Sequence, residues 1–358
     1  MVAVFRKWVD HYFADEEAVA ILVLLGLALL VVLLLGDIVA PVLASIIIAY
    51  LLQGMVTKLR SVVSHTVAVS ITFVLFLSFF LTLSILAVPI VGRQLVTLTQ
   101  EMPGIAVKLK TLLLSLQQQY PALLAEEQLH TMVDLISQRL AGLGQSLLSV
   151  SLSTIPNLIA ILIYGVLIPL MVFFFLKDKD RILLWLSRFL PKERPLMNQI
   201  WAEMNVQVAN YARGKAIEVL LVGAATLVAF AFLGQRYAVL LAVLVGLSVI
   251  VPYIGAALVT IPVAVIGFFQ WGWSDQFAYV MLAYGIIQFI DGNVVVPLLF
   301  SEAVSLHPLA IILAVLFFGG LWGMWGVFFA IPLATLVNAL IESWPSPDAL
   351  AESVSEVE

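Results

Sequence analysis

The sequence predicts an all-α polytopic membrane protein. Two observations carry that class. Hydrophobic residues make up 63% of the chain and charged residues only 11%, with a mean hydropathy of +1.13; soluble domains run near 45–50% apolar and about 25% charged. The apolar residues also fall into runs of bilayer length, and helices are the structure in which such runs satisfy their own backbone in lipid. This composition excludes a soluble enzyme, a nucleic-acid binder and a disordered chain.

The segments follow in order, taking about 20 apolar residues as one span. The first run is Ala18–Leu35, long for a signal peptide and followed at once by another, so it reads as a retained helix. The second is Ile38–Met55 and the third Val67–Gly92, and residues 1–92 form a first group of three. Residues 93–154 have ordinary polarity. They carry amphipathic stretches such as Val107–Leu114 and the breaks Pro103-Gly104 and Tyr120-Pro121, and read as a helical insert outside the bilayer. A fourth span covers 155–176. Residues 177–215 form a second insert holding eight Lys and Arg, and a fifth span runs from Ala216 to Leu233.

The C-terminal part breaks the pattern. Tyr237–Trp273 is an apolar stretch of 37 residues, too long for one ordinary span and too short for two with a loop. Val251-Pro252-Tyr253-Ile254-Gly255 interrupts its middle, where Pro lacks a backbone donor and Gly weakens the helix. One more span, about Gln276–Phe300, leads to a second long stretch, Pro308–Ile341, broken at Gly319-Gly320-Leu321-Trp322-Gly323-Met324-Trp325-Gly326. Each broken stretch reads as a helical hairpin that enters and leaves on one side, the alternative being a long kinked helix. With hairpins, residues 216–341 form two inverted repeats of span and hairpin, about eight membrane segments in all. Paired interruptions of this kind point to a transporter binding site. Residues 342–358 are an acidic tail.

Charge sets the orientation. All 17 Lys and Arg lie at or before Arg236, and eight acids with no base follow. With the N-terminus inside, twelve bases fall on cytoplasmic segments and five on the other side. The positive-inside rule therefore puts both termini in the cytoplasm and 93–154 outside.

Ionisable groups inside a span are costly and mark function. Asp291 is the clearest, within Gln288-Phe289-Ile290-Asp291-Gly292-Asn293 and ahead of Pro297. Gly292 and Pro297 loosen the helix and free carbonyls beside the carboxylate. Gln288 shares its face, three residues away, and Asn293 joins them if the helix loosens. A carboxylate, two amides and free carbonyls suit a proton, a small cation or a polar solute; the plainer alternative is a solvated or capping carboxylate at the membrane surface. Glu218 reads as an interfacial ion pair with Lys215 or Arg213. His307, before Pro308, is either a titrating group or a cap. Gly319, Gly320, Gly323 and Gly326 serve close packing or an unwound, ligand-facing backbone.

There is no cysteine, which removes disulfides and thiolate chemistry, and the four histidines are scattered, so no metal or other cofactor is expected. A P-loop, a His-Glu-x-x-His motif and a Gly-x-Ser-x-Gly elbow are all missing from the sequence.

These motifs carry a resemblance. Val251-Pro252-Tyr253-Ile254-Gly255-Ala256, Gln288-x-x-Asp291-Gly292-Asn293-x-x-x-Pro297, Leu306-His307-Pro308, the Gly319–Gly326 glycines and Ala330-Ile331-Pro332-Leu333 resemble the signature of the AI-2E family of bacterial transporters. Tyr211-x-Arg213-Gly214-Lys215 and Phe175-Leu176-Lys177-Asp178 are similar to further family landmarks. The resemblance implies an eight-segment inner-membrane protein with a soluble insert after the third segment. It implies export of small molecules, the family being named for the signal autoinducer-2, while some members are described as sodium/proton antiporters. Many relatives carry Glu where this chain has Asp291, a side chain shorter by one methylene.

Three functions follow as expectations. The first is a secondary exporter of a small polar solute, with Asp291 as coupling group and Pro252, Tyr253, Gly255 and the Gly319–Gly326 break forming the solute site. The second is a sodium or lithium/proton antiporter using the same parts, and the third a membrane scaffold working through its inserts. The expected partners are the lipid bilayer, the solute or a monovalent cation and proton, and further copies of the chain.

Overall fold

A computed structural model of the protein describes residues 16–119, Gly142, 154–192, 194–252, 254–300 and 306–343. Every regular element among them is helical: α1 (Glu16–Leu59), α2 (His65–Gln119), α3 (Thr154–Lys177), α4 (Lys179–Leu186), a short 3-10 turn (Ser187–Phe189), α5 (Pro195–Phe232), α6 (Ala238–Ser248), α7 (Ile254–Trp271), α8 (Asp275–Ile290), a π-helical turn (Asp291–Val295), α9 (Val296–Phe300) and α10 (Pro308–Ser343). Seven helical segments among the described residues are long and apolar enough to cross a bilayer. Two shorter apolar helices, Ile163–Lys177 and Ala238–Ser248, accompany them. The all-α polytopic class is therefore realised.

Two sequence boundaries are not helix boundaries. α2 continues from the third apolar run through Arg93 to Gln119, about 80 Å of unbroken helix. Pro103-Gly104 does not interrupt it, contrary to expectation. A proline removes one bond from a long ladder, and Pro103 sits on an exposed side where its ring meets little opposition. Likewise α5 starts at Pro195, inside the basic segment, and runs without a break into the fifth apolar run. The break expected at Tyr120-Pro121, the rest of the 93–154 segment beyond Gln119 apart from Gly142 and Thr154, and the acidic tail beyond Ser343 lie outside the described residues.

The described residues fall into two compact units. The first draws on Met1–Leu75, Leu167–Ala216 and Val296–Glu358. In it α1 is bent at Leu35, whose backbone leaves the helical region (φ −124°, ψ 25°). The bend is a reversal. Glu17 accepts hydrogen bonds from the amides of Leu196 (3.3 Å) and Met197 (2.6 Å), while Tyr50 donates to the Asn205 side chain at 2.8 Å. In a straight helix Glu17 and Tyr50 would stand about 50 Å apart, whereas Met197 and Asn205 are separated by about 12 Å of α5. The two apolar runs of α1 thus lie side by side. The Glu17 carboxylate also caps the start of α5, where orphan amides and the helix dipole favour an anion.

At the other end of this unit, Tyr211, Phe300 and Ile331 form a buried cluster. Gly214 faces the Phe300 ring so closely that a Cβ would stand 2.6 Å from it, and the Lys215 ammonium lies 5.1 Å from the ring centroid. Tyr211 packs against the same ring, with centroids 5.8 Å apart. The Tyr-x-Arg-Gly-Lys motif is therefore a seat for one aromatic ring.

The second unit draws on Phe76–Val166 and Ile217–Val295. Its core joins Val222 and Phe230 of α5, Leu241 and Val245 of α6, Val259, Val263 and Ile266 of α7, and Val280 and Tyr284 of α8. α6 and α7 form a hairpin. The Arg236 amide, ahead of α6, donates to the Gln270 side chain at 2.7 Å, and Gln270 returns a bond to the Gly234 carbonyl at 2.8 Å. Gln270 lies at the far end of α7, so the chain enters and leaves at one level. That level is tied to α2. Gln94 accepts from the Leu240 amide (2.8 Å), Glu101 pairs with Arg236 (3.2 Å), and Lys108 donates to the Phe269 carbonyl (3.4 Å). Burial, then the hydrogen bond and charge of Glu101, push the Tyr237 phenol up to about 12, with the Arg236 guanidinium acting against them.

Candidate transport site

The first hairpin turns at Val249–Pro252, as the sequence predicts, and Tyr253, a predicted site residue, lies outside the described residues. Gly255 opens the returning arm with its Cα against the Ser248 carbonyl, where no Cβ fits. α8 then runs back along α7. Tyr284 shares a 2.9 Å hydrogen bond with Thr260 and donates to the Ala256 carbonyl at 3.1 Å. This pins Tyr284 one turn from the hairpin tip. Gln288 follows about 6 Å further along α8, and Asp291 about 10 Å further.

At Asp291 the helix changes. Residues Asp291–Val295 form a π turn, a feature frequent at functional sites. Pro297 explains its place: lacking an amide, it cannot bond the Asn293 carbonyl, and the wider turn takes up its ring. The loosening expected around Gly292 and Pro297 is thus observed. Asp291 is buried, at 8% exposure, although it lies in an apolar helix. Beside it the Gln288 amide nitrogen is buried with no hydrogen-bond partner among the described residues.

Asn293 does not join them. The sequence places it with the carboxylate once the helix loosens, but its amide donates to the Phe289 carbonyl at 2.9 Å and its side chain is exposed. The π turn leaves a carbonyl of its own helix within reach, and the nearer acceptor wins. Glu218, expected in an ion pair with Lys215 or Arg213, is buried at 2% exposure within α5. Tyr284 and Thr260 were not anticipated either. The signal for Tyr284 was present, since Tyr284, Gln288 and Asp291 recur at i, i+4 and i+7, one helical face.

The second broken stretch belongs to the first unit. α10 leaves helical geometry at Trp322 (φ −133°) and Gly323 (φ +60°, ψ −139°). Gly326 lies against the Phe318 carbonyl and Gly319 against the Val327 side chain. Eight residues of straight helix would hold Phe318 and Gly326 about 12 Å apart, so the chain turns back here as well. The four glycines divide between the two readings. Gly319 and Gly326 allow close approach, Gly323 supplies a left-handed backbone, and Gly320 has open space. His307 is the cap: its ring Nδ1 accepts from the Leu309 amide at 3.2 Å and its carbonyl from Ala310 at 2.8 Å, with the side chain exposed.

Apolar helices of bilayer length, a buried carboxylate in one of them and chain reversals at the two breaks make this a multi-pass helical membrane protein. Comparison with known proteins gives the family. The model described as AI-2E family transporter matches residues 19–346. Over 346 residues the chain is 45% identical to the Escherichia coli K12 protein named "Putative permease PerM", covering 96% of this chain and 98% of that one. It is 25% identical over 304 residues to "Putative transport protein YueF" of Bacillus subtilis, covering 84% and 82%. The chain belongs to the AI-2E transporter family.

Proposed function

We propose that this protein is a secondary transporter of the bacterial inner membrane that exports a small polar solute, of the kind autoinducer-2 represents in the family name. One observation carries the reading: Asp291 is buried at the start of a π turn, one helical turn from the buried Gln288 amide nitrogen and about 10 Å along α8 from Tyr284, which bonds the first hairpin near its tip. A buried carboxylate that gains a proton or an ion loses the charge that opposes its movement through an apolar environment. Gln288 offers a donor to the solute, and the loosened backbone offers carbonyls. The break at Pro252 and Gly255 lies in the same compact unit as Asp291 and Gln288 and supports a solute site there, while Gly319, Gly320, Gly323 and Gly326 break α10 in the other unit. Asn293, Pro297 and His307 shape the segments rather than touch the solute.

The proposed organisation keeps both termini cytoplasmic, residues 93–154 outside, residues 177–215 on the cytoplasmic side, and 216–341 as an inverted-repeat transport core. The charge distribution supports it. The common level of Gln94, Arg236 and Gln270 supports an outer boundary near Gly92.

A second reading, cation/proton antiport, gains from the burial of Glu218. A second deeply buried carboxylate supplies the additional acid such exchange uses. Proteoliposomes loaded with a pH-sensitive dye and pulsed with sodium, lithium or potassium separate the two. A cation-driven proton flux lost in Asp291→Asn and Glu218→Gln establishes antiport. Efflux of a labelled solute, lost in Asp291→Asn and without cation-driven proton movement, establishes export. Normal transport by a folded Asp291→Asn protein refutes both assignments of Asp291.

A further inference from the structure

The segment between α3 and α5 presents a surface that transport does not use. It carries six bases against three acids from Lys177 to Arg194. Three tethers fix its position. Its start is held where His65, at the head of α2, meets the Lys177 carbonyl at 3.3 Å. Next to it, the Lys179 ammonium lies 5.8 Å over the Tyr50 ring. Its end is held where Glu17, in the first turn of α1, takes the amides of Leu196 and Met197. The segment therefore runs between the ends of three apolar helices, along the boundary of the membrane.

α4 is two-sided there. Ile182 and Leu183 turn inward and line a cavity of about 170 Å³ with Ile46, Tyr50 and Trp201. The outward face of α4 holds Arg181, Leu184 and Trp185 at i, i+3 and i+4, and Arg188 follows in the 3-10 turn, all exposed. Phe189 extends it, its ring 5.1 Å from that of Trp185. Trp185 is 56% and Phe189 70% exposed, outside any membrane-crossing segment. Large apolar rings flanked by arginines suit neither bulk water nor the bilayer core. They suit the headgroup boundary, where rings meet acyl chains and guanidiniums reach phosphates.

The geometry points to an anionic-phospholipid site on this face: Leu184, Trp185 and Phe189 enter the leaflet, and Arg181 and Arg188 bind the phosphate of an acidic headgroup. The occupant is lipid because the segment is tethered at the membrane boundary and its charge is opposite to that of an acidic leaflet.

The test uses the absence of native cysteine. Leu184→Cys in the full chain carries one environment-sensitive fluorophore in vesicles of equal parts phosphatidylcholine and phosphatidylglycerol, with one or the other lipid brominated. Quenching by both is expected, and more strongly by brominated phosphatidylglycerol. Adding Arg181→Gln or Arg188→Gln should cut that preference by about fivefold for each arginine removed, while the matching Lys variants keep it. Equal quenching by the two lipids in the parent overturns the anionic selectivity. No quenching by either overturns membrane contact, and a fluorophore also shielded from aqueous iodide would then assign the face to a protein partner.

Discussion

The Lys215 ammonium lies 5.1 Å from the centroid of the Phe300 ring, with both residues buried. The motif on α5 and the end of α9 are 85 residues apart in sequence and meet on one aromatic face. A desolvated cation over a ring face gains about 2 kcal/mol. Phe300→Leu keeps most of the apolar contact with Tyr211 and Ile331 but removes that face. Thermal unfolding in detergent should show a loss of roughly 1–2 kcal/mol, and Phe300→Tyr should lose much less. Equal losses in the two variants would show that the ring serves only as volume.

The two hairpins share a device. Gly255 against Ser248 and Gly326 against Phe318 each bring the returning arm onto a backbone carbonyl of the outgoing one. A methyl at either position has only backbone to push against, which cannot swing aside. Gly255→Ala and Gly326→Ala should each cost about 1–3 kcal/mol, and by parting the arms should reduce transport as well. Gly320→Ala is the control. It is helical with nothing near its missing Cβ, so it should be neutral or stabilising by up to about 1 kcal/mol. If all three behave alike, close approach is not what these glycines provide.

Much of this was legible in the sequence because a bilayer imposes lengths. The two runs ending at Leu35 and beginning at Ile38, the break at Pro252 and the break across Gly319–Gly326 all appear where the apolar pattern puts them. The loosened helix at Asp291 was legible too, from Gly292 and Pro297. Helix continuity through Pro103 and across Ala216 was not, since polarity reports where water begins and not where a helix ends. Asn293 went astray for a related reason. The path of a side chain depends on which acceptor or neighbouring helix stands nearest, and composition carries no record of either.

Glu17 supports a prediction about folding. Its carboxylate accepts from the Leu196 and Met197 amides, the orphan donors at the start of α5. Removing such a cap typically costs about 0.5–2 kcal/mol, and here it also unties the first apolar run from α5. Glu17→Gln retains an acceptor oxygen but loses the charge, so it should fall between wild type and Glu17→Ala in thermal stability. Hydrogen exchange should rise at the first turn of α5 in the Ala variant. Unchanged exchange there would place the contribution of Glu17 elsewhere.

The base of the first hairpin carries a pH dependence of its own. The Tyr237 phenol sits with Glu101 and Arg236, and its pKa rises from 10.0 to about 12, first through burial and then through the bond to Glu101 and its charge. A raised value in the folded state means that folding favours the neutral phenol. Its contribution is fully present below the ordinary value near 10 and is lost as pH climbs through about 12. The difference in phenolate absorbance between wild type and Tyr237→Phe should therefore titrate well above an ordinary tyrosine. Glu101→Gln removes the negative charge but leaves the burial, so the midpoint should drop only part of the way. A Tyr237 titration at the ordinary value in the wild type would show that the phenol is not held by Glu101, and the tether between α2 and the hairpin would then rest on Gln94, Lys108 and the Glu101–Arg236 pair alone.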